Sequence, residues 1–137
     1  MADFEVIEHT ADIGIVAHGA SVEDVFVNAA RGMFSLMIDL DLIRESKSRD
    51  IAVHAPDLEL LLAEWLSELL FLFEVEHVLF RRFQVELPAP GQLRGRVWGE
   101  HVDPKRHRIG LGIKAVTHHM LQIVKEDGYR ASIIFDV

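Results

Sequence analysis

Between Pro56 and Phe73 the chain reads PDLELLLAEWLSELLFLF, and this stretch constrains the fold more than any other. Leu58, Leu61, Leu62, Trp65, Leu69, Leu72 and Phe73 recur at three- and four-residue steps, which places them on one broad face of an α-helix. Asp57, directly after Pro56, is a good N-cap for it. A face this apolar has to be covered. The bilayer is not the cover, because Glu59, Glu64 and Glu68 interrupt the run too often for a spanning helix. The segment is therefore the main core helix of a globular domain. At ~3.6 residues per turn, Asp57, Glu64 and Glu68 fall within about 40° of one another and form an acidic stripe, which reads as the solvent side of the helix.

The rest of the chain must supply the covering layer. Phe4 to Ile7 and Ile13 to His18 read as two short strands, the second bounded by Gly19. Ser21 with Asp24 three residues on starts a first helix. Its apolar positions Val22, Val25, Phe26, Ala29, Met33, Leu36 and Met37 keep helical spacing until about Ile38. The long polar connection DLDLIRESKSRD leads to a short strand over Ile51 to Ala55, which Pro56 stops. Beyond the core helix the sequence is nearly all strand-like. VLFRRFQVEL and QLRGRVWGEHV flank a Pro-Ala-Pro-Gly turn, and RIGLGIKAV, HMLQIVKE and YRASIIFDV follow, the last two separated by Asp127 and Gly128. No repeat, low-complexity segment or linker divides the 137 residues. The expectation is a single domain over residues 1–137 of α+β class, with two helices packed on one face of a largely antiparallel β-sheet.

Charge narrows the function. Fourteen Lys and Arg face 22 Asp and Glu, a formal net charge of −8, so the molecule as a whole repels phosphate backbones. Stable direct nucleic-acid binding is not expected. A local basic run at Arg94, Arg96, Lys105, Arg106, His107 and Arg108 reads as a solvated hairpin or as a contact for RNA or an acidic partner. The chain has no cysteine, which leaves oxygen and nitrogen chemistry. It shows no leader-like N-terminal segment, so a cytoplasmic location, away from membranes, is the expectation. It also has no Gly-x-Ser-x-Gly elbow, no P-loop and no dinucleotide fingerprint.

Two acidic strand tips carry the remaining chemistry. In EVIEHTADIGIV the strand breaks at His9, Thr10 and Ala11, and Asp12 stands at the break with Glu8 nearby. Asp12 either caps a turn through its side chain or offers a hard oxygen ligand to Ca²⁺, Mg²⁺ or Mn²⁺. At the other end Asp136 adjoins Val137. The apolar strand ASIIF anchors this end, and the Val137 carboxylate, free if the chain stops there, adds a second acid. Packed beside Asp12, these groups repel one another unless a cation neutralises them. A further cluster, His101, Asp103 and His107, has the composition of a two-His, one-carboxylate zinc or iron site, although a turn at Asp103-Pro104 intervenes. Lys114 lies inside the apolar run GIKAV, where a lysine must snorkel or find an anionic partner.

Taken together, EHTADIGI, DLELLLAEWLSELLF, GEHVDPKRH, KAVTHH and the final DV, in this order across essentially the whole chain, resemble the archease family. That resemblance implies an accessory protein rather than an enzyme. Archeases activate the RtcB-type RNA ligase of tRNA splicing and RNA repair, a GTP- and metal-dependent enzyme, by promoting its guanylylation and multiple turnover. The family fold contains a strand-helix-strand-strand module. Carried over, the family's metal-site acids match Asp12 and Asp136, the residue giving a main-chain oxygen matches Val137, and its functional lysine matches Lys114. The implied cofactor is a divalent cation, Ca²⁺, Mg²⁺ or Mn²⁺. His9, Glu64, Asp103, His107 and His119 lie in matching motifs without an assigned role, and His118 stands where the family more usually has Tyr. The alternative for the same carboxylates is a metal-dependent phosphodiesterase or hydrolase, in which they would activate water.

Overall fold

The structure, a computed structural model, describes residues 3–8 and 12–137. Among them the order is β1 (Phe4–Glu8), β2 (Asp12–Gly19), α1 (Val22–Met37), a 3₁₀ turn (Leu40–Leu42), β3 (Lys47–His54), α2 (Leu58–Glu76), β4 (Val78–Glu86), β5 (Gln92–His101), β6 (Ala115–Val116), β7 (Gln122–Lys125) and β8 (Tyr129–Asp136). Both helices begin where the capping residues place them. The Ser21 hydroxyl accepts from the Asp24 amide at 3.1 Å, and the Asp57 carboxylate accepts from the Leu60 amide at 2.8 Å. These side chains satisfy amides that the first helical turn leaves without partners. α2 stops at His77, which takes a left-handed conformation (φ 57°) and donates its N–H to the Phe73 carbonyl. His101 to Val102 then returns to this cap, Val102 donating to the His77 carbonyl at 2.7 Å.

The strands form two antiparallel sheets instead of the single sheet expected. One runs β1-β2-β8-β6, with β7 also paired to β8; the other runs β3-β5-β4. α1 packs on β2 and β8 of the first and β4 of the second, and α2 likewise contacts strands of both. The helices thus carry the core between the sheets. Phe34 of α1 meets Phe80 edge-on and Phe83 in a stacked arrangement, and Trp65 of α2 meets Phe83 edge-on. The Trp65 indole N–H donates to the Phe26 carbonyl at 3.0 Å, a buried bond that joins the two helices. β3, α2, β4 and β5 make up a strand-helix-strand-strand module.

Three local expectations are corrected. β3 begins at Lys47, not Ile51, because as an edge strand it exposes most of its residues and so carries little apolar signal. RIGLGIKAV is strand only at Ala115 and Val116. Its preceding residues are drawn away from the sheet: the Gly110 amide donates to the Met37 carbonyl at 2.7 Å and satisfies an acceptor at the end of α1. Leu58, placed on the core face, is 38% exposed. In the second sheet β4 carries an irregularity between Phe80 and Arg82, opposite Gly99. A Cβ at Gly99 would lie 1.7 Å from the Leu79 carbonyl oxygen, so only glycine fits there.

Candidate functional site

The two acidic strand tips are brought together by β-sheet register. In the β2–β8 ladder Asp12 is the direct partner of Asp136, and in the β6–β8 ladder Asp136 is the partner of Ala115. Lys114 is tied to the same point, its amide donating to the Asp136 carbonyl at 2.8 Å. Thr117 adds its amide and its hydroxyl to the Ile134 carbonyl, both at 2.9 Å. What fixes the tip is the strand behind it. Ile133, Ile134 and Phe135 are buried, and Gly14 lets β2 close against them, since a Cβ there would lie 2.8 Å from the Ile133 carbonyl oxygen.

Directly opposed residues on antiparallel strands project to the same side with Cβ atoms about 5 Å apart, and like charges so placed repel. Asp12 is half-buried and Asp136 exposed. The ion pairs of the described residues involve none of Asp12, Asp136 and Lys114. Two carboxylates facing one another without a cationic side chain suit a hard divalent cation. Among the described residues no group of three or more His, Asp or Glu is arranged to hold a metal, so main-chain oxygen, as from Val137, and water would complete such a shell. His9 and the Thr10-Ala11 break lie outside the described residues. Lys114 does not snorkel from an apolar strand as the run GIKAV suggests; it is exposed on irregular chain just before β6.

A second polar cluster is organised in the opposite way. Glu100, on β5, is only 7% exposed. It accepts from the Arg44 amide at 2.7 Å, pairs with the Arg106 guanidinium, and lies 3.1 Å from Nε2 of the buried His107. Nδ1 of His107 accepts from the Asp103 amide at 2.8 Å, which leaves Nε2 as the protonated nitrogen, facing the Leu42 carbonyl at 3.0 Å and Glu100. Both ring nitrogens are thereby occupied. This overturns the zinc or iron reading of His101, Asp103 and His107, with His101 exposed on β5 and Asp103 bound to Arg106 and to the Lys105 amide. Burial pushes the Glu100 carboxyl up, but the Arg44 amide, the Arg106 guanidinium and His107 outweigh it and hold it below the ordinary glutamate value. The Lys105 amide, then Arg106, likewise hold Asp103 low against its burial.

Glu100 is the residue that sequence reasoning missed. Its only signal was an acid within a strand followed by Arg106 and His107. The basic run itself is dispersed: Arg96 pairs with Asp50 across the β3–β5 ladder, Arg106 turns inward, and His107 is in the core. Glu64 is exposed and Glu68 half-buried, as a solvent stripe requires, and His118 and His119 are exposed. A cleft of about 460 Å³ lined by Asp3, His18, Asp24, Tyr129 and Arg130 lies at the Gly19–Tyr129 end of the β2–β8 ladder, remote from Asp12 and Asp136.

These features define a small α+β protein in which helices touch two antiparallel sheets and one sheet ends in a pair of directly opposed aspartates. The chain belongs to the Archease protein family, whose profile matches residues 4–137. It is 42% identical to the protein archease of Methanosarcina mazei over 98% of this chain and 95% of that protein, and 38% identical to that of Methanothermobacter thermautotrophicus over the full length of both. The solution structure of Methanobacterium thermoautotrophicum protein 1598 superposes with a TM-score of 0.84 at 37% identity, covering both chains completely. A Thermotoga maritima crystal structure described as an archease, possible chaperone, shares the fold at a TM-score of 0.65 and 20% identity, over 96% of this chain and 94% of that one. Among the described residues no helix is long and apolar enough to cross a membrane.

Proposed function

We propose that this protein activates an RtcB-type, GTP-dependent RNA ligase in tRNA splicing and RNA repair, using a divalent cation held by Asp12, Asp136 and main-chain oxygen at Val137. The observation that carries the reading is the register pairing of Asp12 with Asp136, with Lys114 bonded to the same residue. Such a cation would lower the repulsion between the carboxylates and present a positive centre toward a phosphoryl or carboxylate group on the ligase. Lys114, exposed beside the pair, is placed to meet an anionic group from the partner or its nucleotide. The acidic balance of the chain suits a protein that works on a ligase rather than on RNA directly.

The deciding experiment is a ligation reaction with limiting ligase, run with and without this protein, in which guanylylated ligase and joined RNA are both followed. Stimulation through several turnovers supports the reading, and its loss in Asp12→Ala, Asp136→Ala and Lys114→Ala places the activity at the paired tips. Full stimulation by all three variants would rule the site out. Phosphodiester hydrolysis by the isolated protein would replace the activator reading with the enzymatic one.

A further inference from the structure

One side of α2 is left uncovered although the helix is apolar nearly all round. Phe71 is 53% and Val75 58% exposed, one turn apart. At ~100° per residue, Glu64, Glu68, Phe71 and Val75 fall within about 60° of one another. The nearest strand is too short to cover them, since β6 has two residues. Between α2 and β6 runs a groove of about 190 Å³ whose walls include Phe71, Glu74, Lys114 and Val116. Lys114 therefore lines this groove with its side and donates its amide to Asp136. The apolar stripe, the groove and the aspartate pair make one continuous surface.

Exposed aromatic and aliphatic side chains within a charged rim are the anatomy of a protein interface, with the apolar anchor carrying the affinity and the rim the orientation. The sign of the rim identifies the occupant. Three acids, Glu64, Glu68 and Glu74, border the anchor against one cation, Lys114, with Asp12 and Asp136 beyond them. A second copy of this chain would bring the same acids against them, and RNA would be repelled. An enzyme that holds RNA must surround the entrance to its site with lysine and arginine, the complement of this rim. We propose that the Phe71–Val75 stripe and the adjoining groove are the docking face for the RNA ligase, seating an apolar side chain of the ligase between α2 and β6 while its basic residues meet Glu64 and Glu74. Docking there sets the Asp12–Asp136 pair at the ligase's RNA entrance. The inference rests on the activator reading above.

Binding of purified ligase to the full chain by biolayer interferometry, alongside the ligation assay, tests it. Phe71→Asp should weaken ligase binding by about tenfold or more, as for a central interface anchor. Glu64→Lys combined with Glu74→Lys should slow association and flatten its dependence on salt. Both variants should keep the wild-type Tm and the Tm rise on adding Mn²⁺, which separates docking from folding and from the cation site. If both variants bind like wild type, the face is not the docking surface, even where stimulation by the wild type stands. Wild-type binding that Phe71→Asp weakens, without stimulation, would support the docking face and remove the activator reading. Absence of both in the wild type would overturn the two together. A dimer in sedimentation that Phe71→Asp dissolves would assign the face to a second copy and overturn the proposal.

Discussion

Two groups of acids in this molecule are handled in opposite ways. Around Glu100 the carboxylate is buried, and an amide, a guanidinium and an imidazole converge on it. At the Asp12–Asp136 tip two carboxylates face each other, and among the described residues neither forms an ion pair, although Lys114 lies beside them. The Glu100 cluster ties β5 to the segment after α1 and to the connection leading toward β6, and it has no open valence for a ligand. The aspartate tip joins β2, β8 and β6 through main-chain pairing, and its two acids enter no ion pair among the described residues. Groups satisfied internally resist removal because their partners would be stranded. Opposed like charges do the reverse, since removing one relieves the other.

The largest expected effect is at the satisfied cluster. Glu100→Ala takes the acceptor from the Arg44 amide and leaves Arg106 only Asp103 and His107 Nε2 only the Leu42 carbonyl, and should cost about 3 kcal/mol, a fall of roughly 10 °C in Tm by calorimetry for a domain of this size. A change within about 1 °C would mean that the cluster is not structural. Its pH dependence sharpens the point. Because the native Glu100 carboxyl lies below its ordinary value, its stabilisation is complete above that value and is lost as pH falls through the native one. Acid unfolding followed by circular dichroism should therefore show a loss of stability setting in below about pH 4, and Glu100→Gln should flatten that part of the curve.

The aspartate tip should respond to cations instead. Mn²⁺ or Ca²⁺ at about a hundredfold over its dissociation constant should add about 2.7 kcal/mol, seen as a Tm rise that a chelator reverses. Asp12→Asn and Asp136→Asn should abolish that rise. A rise that survives both substitutions would place the cation elsewhere. Without added cation, the same substitutions should leave stability unchanged or raise it by up to about 0.5 kcal/mol, the opposite sign to Glu100→Ala. Lys114→Ala should cost less than about 1 kcal/mol, as for an exposed side chain, while ligase stimulation drops sharply. The last substitution is a control outside both clusters. His77→Gly at the left-handed cap of α2 should stabilise by up to about 1 kcal/mol, and leave both the acid titration and the cation response as they were.

Local sequence determined the elements whose cause is local. Ser21 and Asp57 announced both helix starts, the spacing of Leu61, Leu62, Trp65 and Leu69 announced the core face of α2, and Asp127-Gly128 announced the turn between β7 and β8, where both residues take positive φ. Each of these depends on neighbours within about one turn of chain. The sequence motifs also singled out Asp12 and Asp136 as the acids of interest. Only the tertiary structure decided that they are partners, because register between β2 and β8 is set by the burial of Ile15, Ile133 and Phe135 across more than a hundred intervening residues. It also decided that the strands divide into two sheets, that Gly110 in RIGLGIKAV gives its amide to the end of α1 instead of a ladder, and that His107 turns inward to Glu100. These outcomes rest on contacts between distant segments. Such contacts are fixed by which surfaces the whole chain can bury at once, and no window of sequence contains that information.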